Sequence, residues 1–96
     1  MTKTFKPAQP FKDGPRPPIA LTSVDSSQVR AIGYDPATAT LAVTFNRGNG
    51  AIYHYPNVSP VMYAEFIASE SIGRYFGLHI EPLQFEKYPP EETAPA

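Results

Sequence analysis

The chain has 96 residues, 42% hydrophobic and 18% charged, with a net charge of −1 at pH 7, which fits one small domain, or one domain with tails. It has no cysteine, so disulfides, thiol catalysis and cysteine-ligated zinc are excluded, and the charge lacks the basic surplus usual in a nucleic-acid binder. Twelve prolines crowd the ends, five within residues 7–18 and three within residues 89–95, and no apolar run approaches the ~18–20 residues of a membrane-spanning helix.

In chain order, residues 1–23 carry Lys3, Lys6, Lys12 and Arg16 against Asp13. This proline-rich basic head is expected to be flexible and extended. No apolar run follows its lysines, so no secretory leader is expected and the default compartment is the cytoplasm. Pro15-Arg16-Pro17-Pro18 has the P-x-x-P spacing of peptides that dock aromatic grooves, a plain linker being the alternative. Gln28 to Tyr34 reads as a first strand, with Gly33 marking a bulge or a close backbone approach. Asp35-Pro36-Ala37-Thr38 is a turn. Thr40 to Asn46 alternates, with Leu41, Val43 and Phe45 on one face, and reads as a second strand. Asn46 to Gly50 supplies a hairpin, and Ala51 to Tyr55 is a third strand ended by Pro56.

The period then becomes helical. Ser59 is placed as an N-cap with Pro60 in the first helical position. Met62, Tyr63, Phe66 and Ile67 form one stripe. Ser69 to Ser71 interrupts it, and Ile72, Tyr75, Phe76, His79 and Ile80 form a second. Gly73 and Gly77 weaken this second helix, and their spacing on neighbouring turns points to close packing on the sheet. Pro82 restricts any strand at Leu83–Phe85 to an edge. Residues 86–96 form an acidic, proline-containing tail expected to be flexible. The expected fold is α+β: a small antiparallel three-stranded sheet, with a short fourth edge strand allowed, followed by two helices packed on one face. The expected domain spans residues 24–85.

Tyr53 and Tyr55 share one face of their strand and His54 points to the other. Two exposed rings at this spacing would stack bases or pack on a partner; on a core face they would be packing residues. Arg74 is one of only three basic residues in residues 24–84, and the alternative to a ligand role is an ion pair with Glu70 one helical turn earlier. His54 and His79 are the only histidines; too few ligands accompany them for zinc, and both are expected at the surface or rim. Glu65 and Glu70 diverge around a helix and do not form an acid/base pair. Ser26-Ser27 lacks a nucleophile-elbow context, and Gly73-Arg74-Tyr75-Phe76-Gly77 has helical surroundings, unlike the strand motif of RNA-recognition modules.

Val24-Asp25-Ser26-Ser27, Ile32-Gly33-Tyr34-Asp35, Leu41 to Phe45, Tyr53-His54-Tyr55, Val58 with Pro60 to Tyr63, and Ala68 to Phe76 ending at Ile80 occur in the order and spacing of a known family. From about Val24 to Gln84 the chain resembles a KTSC domain, the short module at the C-terminus of some lysyl-tRNA synthetases that also stands alone in bacterial and phage proteins. Two positions depart from that pattern: the turn before Tyr53 is longer, and Glu81 stands where a basic residue commonly follows the isoleucine. The synthetase context implies RNA binding by analogy. Stand-alone occurrence implies equally a partner-binding module, or an accessory protein acting on a host protein.

The expectation is a non-enzymatic binding module with no cofactor and no metal. Its partner is a protein or an RNA (tRNA or single-stranded), undecided from sequence. The candidate binding residues are Tyr53, Tyr55, Ser71, Arg74 and Tyr75.

Overall fold

The computed structural model describes residues 14–47 and 50–90. Five strands, β1 (Thr22–Ser23), β2 (Val29–Asp35), β3 (Thr40–Phe45), β4 (Ile52–Pro56) and β5 (Glu86–Tyr88), form one sheet in the order β1-β2-β3-β4-β5. All neighbouring strands are antiparallel. The expected three central strands are present, but the sheet has two more. The last strand lies at Glu86–Tyr88, beyond the segment Leu83–Phe85, whose Leu83 and Phe85 pack on the core instead.

Register explains the two faces. Ile32, Val43 and Tyr53 are aligned across the sheet, as are Tyr34, Leu41 and Tyr55. With Val29, they make the apolar face that meets Val58, Phe66, Phe76 and Ile80 in the main core. The opposite face carries the rows Ala31–Thr44–Ile52–Tyr88 and Gly33–Ala42–His54–Glu86. The β-bulge falls between Val29 and Ala31. Gly33 has the other role expected of it, since a Cβ there would overlap the Ala20 carbonyl oxygen.

That contact marks a second layer that composition hid. Residues 15–23 run over the far sheet face: Ile19 is buried with Ala42 and Ile52, and Leu21 packs beside them. Thr22 and Ser23 then pair with Ile32 and Ala31. The part of the expected flexible head from Pro15 onward is therefore built into the fold; residues 1–13 lie outside the described residues, as do 91–96 of the tail. The central part of the Asn46–Gly50 hairpin, residues 48 and 49, also lies outside them.

The turn after β2 follows its sequence chemistry. The Asp35 carboxylate accepts the Ala37 N–H at 3.0 Å and the Asp35 carbonyl accepts the Thr38 N–H at 3.3 Å. Helix α1 (Pro60–Ala68) begins at Ser59, whose hydroxyl accepts the Met62 N–H at 3.1 Å. Ser59→Ala should lower stability by about 1 kcal/mol, read as a shifted urea midpoint with an unchanged slope. Phe66 is the fully buried anchor of α1, whereas Ile67, expected in the same stripe, is 48% exposed. A nine-residue helix on a narrow sheet presents too thin a face to bury both.

Helix α2 (Ile72–Tyr75) starts after the Ser69–Ser71 break and continues into a π-helical turn at Phe76–Ile80. The Glu81 N–H donates to the Phe76 carbonyl at 2.8 Å, closing that wider turn. Phe76 and Ile80 stay in the core, while His79 points outward with its ring tilted against that of Tyr75, 4.5 Å between centroids. The two glycines prove unequal. A Cβ on Gly73 would meet the Gln28 side chain, whereas one on Gly77 would find only Glu81 Oε1 at 3.9 Å.

Candidate functional site

The sheet separates the expected site residues. Tyr55 is only 3% exposed, with its ring against Phe76 at 5.6 Å. Burial, with Tyr53 and Glu81 nearby, pushes its hydroxyl well above the ordinary tyrosine pKa. Tyr53 is half-buried between Phe45 and Phe85, each 5.3 Å away, with the Lys87 ammonium 5.9 Å from its centroid. The two rings do share a face, but it is the core face. They form no stacking platform for bases.

Ser71, Arg74 and Tyr75 are brought together, and with residues that sequence reading did not join to them. Before β2, the Ser26 hydroxyl accepts the N–H groups of Gln28 and Val29, both at 3.2 Å. The Asn46 side chain donates to the Ser26 carbonyl at 2.9 Å, and its backbone N–H donates to the Gln28 carbonyl at 2.9 Å. These bonds fix the 25–28 loop against the end of β3. Across from it, the Ser71 hydroxyl accepts the Arg74 N–H at 3.2 Å and the Ser69 hydroxyl donates to the Phe66 carbonyl at 2.8 Å. Gly73 lets these two walls approach, because its missing side chain leaves the space that Gln28 occupies.

Between the walls runs a groove of ≈ 540 Å³, with Asp25 to Gln28 on one side and Ser69 to Arg74 on the other. Through Ser27 and Gln28 it continues to a hollow beside Phe45 and Arg47. Through Ser71 and Arg74 it continues to a shallow surface formed with Tyr75, Leu78 and His79. Leu78 is 64% exposed there. The groove is polar in its middle and apolar at each end, and its charges balance: Arg47 and Arg74 against Asp25 and Glu70. Among the described residues no ion pair joins Arg74 to Glu70, so the expected surface bridge is not made. Tyr75 is held by a bond to the Glu65 carboxylate at 3.0 Å. Burial first, then that bond, raises its pKa.

The KTSC domain family model matches residues 25–85, which includes both walls of the groove and the whole span between them. The chain belongs to the KTSC domain family. Its fold is also that of a crystallised KTSC domain protein from Yersinia pestis, with a TM-score of 0.62, 29% identity, and coverage of 75% of this chain and 97% of that one. A protein of Tsukamurella paurometabola is 41% identical over 59 residues, covering 62% of this chain and 85% of that protein. An uncharacterised protein of Stutzerimonas stutzeri is 33% identical over 63 residues, covering 66% and 86%. The KTSC match begins at Asp25, so the proline-containing layer at residues 15–23 and strand β1 lie before it.

Sequence reading missed Arg47, Gln28 and the Asp25–Ser27 wall as site residues. The serines carried a signal as part of the KTSC resemblance, but their partners lie more than forty positions away (Ser26 to Ser71). Periodicity cannot report such a pairing. No helix among the described residues is long and apolar enough to cross a membrane.

Proposed function

We propose that this KTSC domain is a binding module without catalytic activity, and that the groove between the 25–28 loop and α2 takes an extended segment of a protein partner. The observation that carries this reading is the groove's composition. Serine hydroxyls, Gln28, Arg74 and the carboxylates of Asp25 and Glu70 line its middle, Arg47 stands with Phe45 at one end and balances the charge, and Leu78 stands at the other end. A polypeptide matches such a surface: backbone and polar side chains pair in the middle and apolar side chains sit at the ends.

RNA recognition is the weaker reading. Phosphate neutralisation normally dominates RNA affinity, and here each groove arginine is offset by an acid. Of the tyrosine pair that motivated base stacking, Tyr55 lies buried against Phe76 and Tyr53 is half-buried between Phe45 and Phe85. The groups with the largest pKa displacements, His54 and Tyr55, are packed in the sheet away from the groove, whereas a catalytic site usually displays such groups in a cleft.

The test is selection of a displayed random-peptide library on the full chain, followed by titration of the enriched peptide against wild type and Arg74→Ala. Enrichment is expected, with weak salt dependence and about fivefold to tenfold weaker binding by the variant. An absence of enriched peptides, together with salt-sensitive binding of a mixed-sequence RNA, contradicts the proposal.

A further inference from the structure

The sheet face opposite the groove holds a contact that the binding reading does not use. Arg16 Nη1 lies 3.0 Å from His54 Nε2. A guanidinium has only donors, so at this separation the imidazole nitrogen must be the acceptor, and only a neutral ring can accept. His54 is 2% exposed, enclosed by Tyr88 at 4.8 Å between centroids and by the layer that Ile19 anchors on Ala42 and Ile52. Residues 15–23 are held on the sheet by Arg16, by the Ile19 patch with Leu21 beside it and by the two-residue β1 pairing, while four of the first six (Pro15, Pro17, Pro18 and Ala20) are exposed.

We propose that residues 15–23 form a releasable strap, latched on the sheet by the Arg16–His54 contact and let go when His54 takes up a proton. A protonated ring has two donors and no acceptor, so it would face the guanidinium donor to donor and charge to charge. The other charged or titratable groups around His54 are Glu86 and Tyr88 on β5, and Asp35 at the end of β2, which lines a small cleft with His54, Pro17 and Ile19. Glu86 favours the proton. Burial and Arg16 oppose it more strongly, and together they lower the His54 pKa to about 4.

The sign follows from linkage. Released His54 returns toward an ordinary value of about 6.5, so docking is at full strength above that pH. Below it, docking weakens by up to about tenfold per pH unit until the docked ring itself protonates near pH 4. Release uncovers Ala42 and Ile52 on a face otherwise sealed by the chain's own segment.

The experiment is methyl NMR of the full chain from pH 7 to pH 3.5. Contacts between Ile19 and Ile52 report the strap, and methyls around Phe66 report the main core. The strap contacts should disappear between about pH 5 and pH 4 while the core signals persist. His54→Gln keeps an acceptor for Arg16 but cannot titrate, and should hold the strap down to the pH at which the core unfolds. Should that variant fail to fold, Arg16→Met decides: it should lose the Ile19–Ile52 contacts already at pH 7 with the core intact. The proposal is overturned if strap and core signals vanish together, if His54→Gln releases the strap at the wild-type pH, or if Arg16→Met leaves it docked at pH 7.

Discussion

Phe66→Ala is expected to remove a large share of the domain's stability and to lower its melting temperature by tens of degrees. Phe66 is the only fully buried residue of α1 and sits in the main core with Leu41, Val43, Tyr55, Val58 and Ile80. Its ring lies 5.6 Å from that of Tyr75, so it also ties α1 to α2 and to one wall of the groove. Removing a buried phenyl group costs about 3–5 kcal/mol, the lost transfer energy plus the cavity. A domain of this size has a total stability of roughly 5–10 kcal/mol, and at about 4–8 °C per kcal/mol the melting temperature should fall by roughly 12–40 °C. Ile67→Ala, one position along and half exposed, should change stability by only about 0.5 kcal/mol. Calorimetric melts of both variants check the contrast. Similar small effects from both would mean that α1 is not anchored through Phe66.

Gly33→Ala is expected to expel the strap and lower stability by roughly 2–3 kcal/mol, combining overpacking with the lost burial of Ile19. The position is in the middle of β2, where alanine should otherwise be the better residue because it removes conformational freedom from the unfolded chain. Sterics reverse that sign. The added methyl would overlap the Ala20 carbonyl and press on Ile19 Cγ2 at 3.0 Å, and backbone cannot rotate aside as a side chain can. Gly77→Ala would make only an ordinary contact with Glu81 Oε1 at 3.9 Å and should stabilise the chain by about 0.5–1 kcal/mol. Denaturant titrations of the pair, with the Ile19–Ile52 contacts followed by NMR, separate the two cases. A Gly33→Ala protein with wild-type stability and a docked strap would show that the strap does not cross β2 at Gly33.

The same contacts explain what the sequence could and could not disclose. Leu41, Val43 and Phe45 alternate on one face because β3 is the central strand and its neighbours must match it, so the β2–β4 meander was legible. Ser59 with Pro60, and the polar break at Ser69–Ser71, are local chemistry and were legible too. The edge strands were not, because two residues at β1 and three at β5 have no period to detect. The prolines before β1 read as a flexible head, yet proline is compatible with an extended strap that needs few backbone donors. His54 was expected at the surface or rim; its burial depends on the strap and on Tyr88, from elements 38 residues earlier and 34 later. Tyr55 was one of two alternatives from alternation alone, decided only when the helices covered that face. In the groove, Ser71, Arg74 and Tyr75 were readable on one helical segment, whereas Gln28 and Asp25–Ser27 enter through tertiary packing at Gly73, and Arg47 enters through the hollow beside Phe45.

The most direct test of the groove as the binding face is amide chemical-shift mapping of the full chain with the selected peptide at low and moderate salt. Shifts are expected in Asp25–Gln28, Arg47 and Ser69–Tyr75, with little change with salt and with titration midpoints about fivefold to tenfold higher in Arg74→Ala. Shifts confined to the strap side of the sheet around His54 and Tyr88, or a peptide response that survives Arg74→Ala unchanged, would contradict it.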